Sequence, residues 1–314
     1  MRGRGTELVP RSQGRRLFPV IGRLPLTLTL DKGGTDVHIL NNGVSAFDGQ
    51  IKTTLDTSIF DLHVKIKKGD TIDFAVGVGP DGSVSEAYHG RLRKARELFQ
   101  RSVESAKRNE ALERAAGYRA DLGVVEAYFG YPQQATADAV AVARLDSNFQ
   151  ISAWGDVVDP VLPMALSGDT REAENLAAEL STRLPRDTAI QRFYLPTFGA
   201  AIALQRKQAD KVLSLLQGLS SPEQSAVAEM HPSYLRGQAY LMLHNGGAAA
   251  VEFQEIIDHP GLIITRSFSA PALSALSRLG LARACALQGD TAKSRVAYQD
   301  SLTLWEDADP DIPS

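Results

Sequence analysis

The chain has few of the residues that build covalent or metal-bound frameworks. Its 314 residues include one cysteine, Cys285, which excludes an internal disulfide framework and a multi-cysteine metal site. The formal net charge of −3 is too small to indicate a nucleic acid or an anionic membrane as the main partner. The apolar run from Leu17 to Leu30 is interrupted by Arg23 and two prolines. We therefore predict neither a signal peptide nor a membrane span, and we expect a cytoplasmic protein.

Motifs for catalysis and cofactor binding are also scarce. The six histidines never show the H-x-x-x-H spacing of a metal site, and no serine lies in a nucleophile elbow. Residues 77–82 match G-x-G-x-x-G, but the next segment is predicted to be helical with no second parallel strand after it, so we interpret them as a turn. Cys285 lies on the apolar stripe of a predicted helix, which favours a buried, unreactive thiol. We predict no catalytic residue, no cofactor and no metal ion.

Residues 1–25 are predicted to form a disordered basic tail. Residues 1–23 contain one acid, Glu7, and six arginines: Arg2, Arg4, Arg11, Arg15, Arg16 and Arg23. A basic arm that binds phosphate or lipid is the alternative. Disorder is favoured because stacking aromatic residues are not interleaved with the arginines.

Residues 26–82 are predicted to form a small antiparallel sheet or partial β-sandwich. Apolar and polar residues alternate in residues 26–30, 60–66 and 72–74, as expected of half-buried strands. Glycine- and asparagine-containing turns separate these runs. The only aromatic residues in this range are Phe47, Phe60 and Phe74.

Residues 86–311 are predicted to form an α-solenoid of antiparallel helix pairs. We expect helices near 87–107, 109–129, 133–145, 149–167, 170–184, 188–206, 209–217, 232–244, 247–258, 271–287 and 291–306. Equivalent turns are assigned to Gly130, Gly168, Lys207, Gly246 and Gly289. Their spacing of about forty residues, with two helices in each unit, is typical of solenoids. In the last helix, the predicted buried face comprises Ala292, Val296, Tyr298, Leu302 and Trp305.

These helix pairs resemble tetratricopeptide repeats, although their period exceeds the ~34 residues of that family. Small and aromatic residues stand at the family's packing positions: Gly237, Tyr240, Ala249 and Phe253 in one unit, and Ala282, Gly289, Asp290 and Tyr298 in the last. Residues 89–106, 202–216 and 270–311 resemble the repeat regions of bacterial serine/threonine kinases and winged-helix regulators. Residues 43–82 resemble β-sandwich modules of bacterial surface and carbohydrate-associated proteins. The kinase catalytic motifs themselves are absent.

The resemblance implies that the repeats bind other proteins or peptides. The first helix of each pair would line the concave face, which places six candidate binding residues there: Gln191, Tyr194, Thr197, His231, Tyr234 and Gln238. Packing between adjacent helix pairs is the alternative interpretation of the same residues. We therefore expect a non-enzymatic scaffold that binds a protein or peptide, with a carbohydrate- or surface-binding β-module on a helical spacer as the alternative. Self-association through the β edge or the terminal helix pair remains open.

Overall fold

The computed structural model describes residues 17–24, 35–41, 44–51, 58–65, 72–76, 83–108, 112–145, 160–219, 227–259 and 270–312. The chain divides into two compact units, Met1–Gly82 and Ser83–Ser314. The described residues are mostly helical. This confirms the prediction of a mostly α protein.

The first unit contains five strands: β1 Leu17–Leu24, β2 Thr35–Asn41, β3 Val44–Ile51, β4 Ser58–Lys65 and β5 Ile72–Val76. Strand β1 pairs antiparallel with β4, and β2 pairs antiparallel with both β3 and β5. Strand β1 lies in the segment predicted as a disordered tail. The predicted strand at 26–30 and all the side chains of this unit lie outside the described residues, so the packed β-module stays a prediction.

The second unit contains helices that pair as hairpins. They are α1 Ser83–Tyr88, α2 Leu92–Arg108, α3 Leu112–Tyr128, α4 Pro132–Leu145, α5 Val161–Ser167, α6 Thr170–Arg183, α7 Leu195–Gln205, α8 Ala209–Leu216, α9 His231–Met242, α10 Gly246–Asp258, α11 Ala270–Leu287 and α12 Thr291–Leu304. A π-helical turn, Ile190–Tyr194, leads into α7. The helix predicted at 87–107 is two helices, because Gly90 takes a left-handed φ of 72° that ends α1.

The same turn closes the hairpins. The left-handed position is taken by Gly90, Gly130, Gly168, Lys207, His244 and Gly289. In five of the turns, the N–H of the following residue donates to the carbonyl five residues earlier, as in Tyr131 to Glu126 at 2.8 Å and Asn245 to Tyr240 at 2.9 Å. This is the Schellman pattern that satisfies the last carbonyls of a helix.

The turn assigned to Gly246 was placed wrongly by two residues. His244 takes the left-handed conformation, and Gly246 is the first residue of α10. A Cβ atom at Gly246 would lie 2.5 Å from the Ala284 carbonyl oxygen. Glycine is therefore needed there for the close approach of α10 to α11, and not for the turn.

The buried face of α12 also differs from the prediction. Ser294, Ala297 and Ser301 are its buried residues, whereas Val296 is 61% exposed and Leu302 is 67% exposed. The Ser294 hydroxyl donates to the Ala282 carbonyl at 3.1 Å. Small side chains therefore let α12 lie close against α11, which turns the large apolar residues outward.

The last hairpin contacts the first. Helix α1 packs against α11, and the Trp305 indole N–H donates to the Tyr88 carbonyl at 3.0 Å. The Asp309 N–H donates to the Gly90 carbonyl at 3.0 Å, and Arg93 forms an ion pair of 2.9 Å with Asp311. Residues 305–312 thus cover part of the first hairpin, so the terminal helix pairs are not two free ends.

Candidate functional site

The six residues predicted for a concave groove are largely enclosed by their own helices. Tyr194, Thr197, His231 and Tyr234 are buried, and Gln191 and Gln238 are half-buried. The Gln191 side-chain amide donates to the Leu184 carbonyl at 2.9 Å, and the Thr197 hydroxyl donates to the Phe193 carbonyl at 2.6 Å. Both of these side chains thus make intramolecular contacts, and a groove formed by the six residues stays a prediction.

Tyr128, at the end of α3, packs against two of these residues in α9. Its hydroxyl lies 2.7 Å from His231 Nδ1, and its ring packs edge-on against Tyr234 with centroids 5.1 Å apart. Burial raises the pKa of Tyr128 well above its ordinary value and that of Tyr234 to about 12. Both hydroxyls are therefore neutral, and the three rings of Tyr128, His231 and Tyr234 pack against one another.

An open groove is formed by residues of the last two hairpins. It has a volume of about 570 Å³ and is bounded by α10, the C-terminal half of α11 and the first turn of α12. Ala250, Leu281 and Cys285 contribute its apolar surface, and Val251 stands at its edge with 69% of its area exposed. We call this feature the α10–α12 groove. Its volume falls within the range of ordinary ligand sites.

The α10–α12 groove carries more negative than positive groups. Glu255, Asp258 and Asp290 line it, together with Lys293 and His259. Asp290 caps α12 by accepting the Lys293 backbone N–H at 3.0 Å, and this hydrogen bond holds the pKa of its carboxyl below the usual value. Asp258 accepts a hydrogen bond from Gln254 at 2.7 Å. The carboxylates are thus fixed in position by local contacts.

Cys285 contributes to the same groove with a nearly buried side chain. Burial raises the pKa of its thiol, with a smaller contribution from Asp290. The protonated thiol that results is a poor nucleophile. This agrees with the sequence interpretation of Cys285 as an unreactive residue. Cys285 is also the only cysteine in the sequence.

A buried ionic cluster joins α2, α3 and α4. Glu126 accepts a hydrogen bond from Arg96 at 2.7 Å, and Asp138 lies 2.9 Å from Arg119. The pKa of Glu126 is raised to about 7, mainly by burial and also by the nearby Asp138, against the opposing effect of Arg96. Among the described residues, Glu126 Oε2 has no hydrogen-bond partner. The Arg96 guanidinium also stacks over the Tyr131 ring at 4.6 Å.

This cluster has the raised pKa of many functional carboxylates, but its groups are used to pair the three helices. A Cβ atom at Gly123, one turn before Glu126, would lie 3.2 Å from Pro163 and 3.5 Å from Asp138. The surroundings of the carboxylates are therefore closely packed. We interpret the cluster as a structural network.

The groove could have been found from the sequence by a second periodic pattern. In α10, Ala249, Phe253 and Ile256 form the buried face, whereas Gly247, Ala250 and Gln254 recur at helical spacing on the groove side. Small residues on an outward stripe give a weak signal, because they are equally common on ordinary solvent-exposed faces.

Comparison with known proteins identifies no family for the chain. No family model matches the chain, and no curated protein or solved structure matches it significantly. Within the described ranges, no group of three or more histidine, cysteine or acidic residues could hold a metal ion. No described helix is long and apolar enough to cross a membrane.

Proposed function

We propose that the chain is a non-enzymatic helical-repeat protein of the tetratricopeptide type that binds a protein or peptide partner, in the cytoplasm. The observation that carries this proposal is the recurrence of one hairpin design. In the part of the chain that the structure describes, six helix pairs, each closed by a left-handed residue, follow one another at intervals of about forty residues. Repeats of this kind expose extended surfaces that commonly serve for recognition.

The packing inside the hairpins supports the same proposal. The fifth residue after each left-handed position is buried and mostly small: Ala95, Ala135, Ala173, Val212, Ala249 and Ser294. In the fifth hairpin, a Cβ atom at Gly237 would lie 2.7 Å from the Phe253 ring, so a glycine and an aromatic residue pack together as in the tetratricopeptide resemblance. Ser294 replaces the expected alanine yet occupies the same buried position.

The chemistry of the described groups favours binding over catalysis. The thiol of Cys285 is kept protonated by burial, and the buried carboxylates of α3 and α4 are used in ion pairs. The α10–α12 groove, in contrast, offers an apolar surface with polar edges and no nucleophile paired with a base. Such a surface can bind a segment of another chain.

A displayed library of random peptides of about twelve residues, selected against the purified full chain, tests the proposal. We expect enrichment of related sequences that bind the chain with micromolar affinity. Leu112→Lys, at an exposed residue of α3, serves as a surface control and should bind the same peptides. A library that yields no enriched sequence after repeated selection would contradict the proposed function.

A further inference from the structure

We infer that the α10–α12 groove binds a short peptide segment in which an apolar side chain is flanked by arginine or lysine. This inference rests on the proposed function and assigns its partner chemistry and its place. Two observations support this inference: the shape of the groove and the charged residues that line it.

The apolar part of the groove has a fixed shape. Gly246 brings the start of α10 against α11, because any larger residue would collide with the Ala284 carbonyl oxygen. The Gln288 side-chain amide donates to the Gly246 carbonyl at 3.1 Å and so ties the end of α11 to α10. The space of about 570 Å³ between these elements suits a few side chains rather than a whole docked helix.

The charged part of the groove favours a cationic ligand. Three carboxylates, Glu255, Asp258 and Asp290, line it together with one lysine, Lys293, whose ammonium lies 3.4 Å from Asp290. Glu255 lies 3.8 Å from the buried Arg236 guanidinium and accepts a hydrogen bond of 2.8 Å from the Ser233 hydroxyl, whereas the partner of Asp258 is the neutral Gln254. Among the described residues, Asp258 is therefore the groove carboxylate that has no cationic partner. An arginine or lysine beside a buried apolar anchor would complement it.

The exposed apolar residues near the groove extend this surface. Val251 is one of the residues that line the groove. Leu287 lies next to Gly246, because a Cβ atom at that glycine would be 3.0 Å from the Leu287 Cβ atom. Both Val251 and Leu287 are well exposed. An apolar peptide side chain can thus contact the groove interior while its neighbours cover these two residues.

The test uses the full chain and three fluorescein-labelled peptides of about ten residues. The first has a central leucine pair flanked by arginines, the second has glutamates in place of the arginines, and the third has serines in place of the leucines. Fluorescence anisotropy measures binding. Cys285 is buried and is the only cysteine, so occupation of the groove is measured in the double variant Cys285→Ser/Val251→Cys, in which a maleimide modifies a thiol at an exposed position of the groove lining. Cys285→Ser alone gives the background.

We expect the arginine–leucine peptide to bind, to slow the modification of the thiol introduced by Val251→Cys several-fold and to lose affinity with added salt. Asp258→Asn should weaken its binding about 5- to 10-fold, and Val251→Lys should weaken it further. Glu172→Gln, at an exposed acid of α6, is the matched control for Asp258→Asn, and Leu112→Lys is the control for Val251→Lys. Neither control should change the affinity.

Three outcomes would overturn the inference. They are equal binding of the arginine and glutamate peptides, binding without protection of the thiol introduced by Val251→Cys, and protection that depends on protein concentration alone, which would indicate a second copy in the groove. If the library selection still yields binders that leave this thiol unprotected, the proposed function stands and only this location fails. If no peptide binds by either method, the proposed function fails as well.

Discussion

The first two hairpins and the last two use one hairpin design but differ in the apolar surface that they expose. Both regions bury charges: Glu126 and Asp138 pair with Arg96 and Arg119 in α2–α4, and Arg236 pairs with Glu252 between α9 and α10. In α9–α12, large apolar side chains are exposed: Met242, Leu243, Val251, Leu287, Val296, Tyr298 and Leu302. Of the large apolar residues exposed in the described helices, Leu112 alone lies in the first two hairpins. We infer that the first hairpins serve as framework and the last as contact surface.

The largest loss of stability is expected at Phe253, in the core of the last two hairpins. Its side chain is fully buried and packs edge-on against Tyr234 with centroids 5.7 Å apart. Phe253→Ala should lower the free energy of unfolding by about 3–5 kcal/mol, because it leaves a cavity between α9, α10 and α11. Urea unfolding followed by circular dichroism measures this change. Tyr298→Ala, at an exposed aromatic residue of α12, should cost far less, and equal losses would contradict the assignment of core and surface.

The next effect concerns the buried charges of the first hairpins. The pKa of Glu126 is about 7 in the folded protein against an ordinary 4.5, so the folded state holds an extra proton between these values. The contribution of Glu126 to the free energy of unfolding is therefore largest below pH 4.5 and falls as the pH rises to about 7, by on the order of 2–3 kcal/mol. Glu126→Gln, which mimics the protonated acid, should remove most of this fall.

Urea unfolding at pH 5 and pH 8 checks this prediction. Glu126→Gln should equal the unmodified chain at pH 5 and exceed its stability at pH 8. Glu97→Gln provides the contrast, because Lys94 and Arg101 lower the pKa of the exposed Glu97 and its contribution has the opposite sign. The same pH dependence in the unmodified chain and in Glu126→Gln would show that another group is responsible.

The smallest change in stability is expected at Gly237, and Gly199 provides the comparison. A Cβ atom at Gly237 would lie 2.7 Å from the ring of the buried Phe253, whereas one at Gly199 would lie 3.3 Å from a flexible methyl group of Leu215. Gly237→Ala should therefore destabilise the fold by about 1–2 kcal/mol despite the higher helix propensity of alanine. Gly199→Ala should be neutral or slightly stabilising. Thermal unfolding of both variants measures the difference, and a stabilised Gly237→Ala protein would contradict the packing at Phe253.

Local patterns predict much of the helical unit. Gly130, Gly168, Lys207 and Gly289 close hairpins where the sequence placed turns. The break at Gly90 was missed because the flanking segments continue a single helical pattern. The turn at His244 was missed because glycine is the usual left-handed residue, yet here Gly246 is needed for contact between helices.

Contacts between distant segments determine the features that the local patterns did not predict. The concave groove was predicted from helical register alone, and register does not reveal that Tyr128 fills the space beside His231, 103 residues away. Likewise, the outer face of α12 depends on how closely Ser294 approaches Ala282. Side-chain size at such contacts cannot be weighed until the neighbouring helix is known.

Hydrogen exchange measured by mass spectrometry tests the central claim most directly. The full chain is compared with and without a saturating peptide from the library selection. We predict slower exchange in residues 246–259 and 281–293, which bound the α10–α12 groove, and no change in residues 190–198 and 231–238. Slower exchange confined to those latter residues would place the binding surface on the concave side and contradict the account.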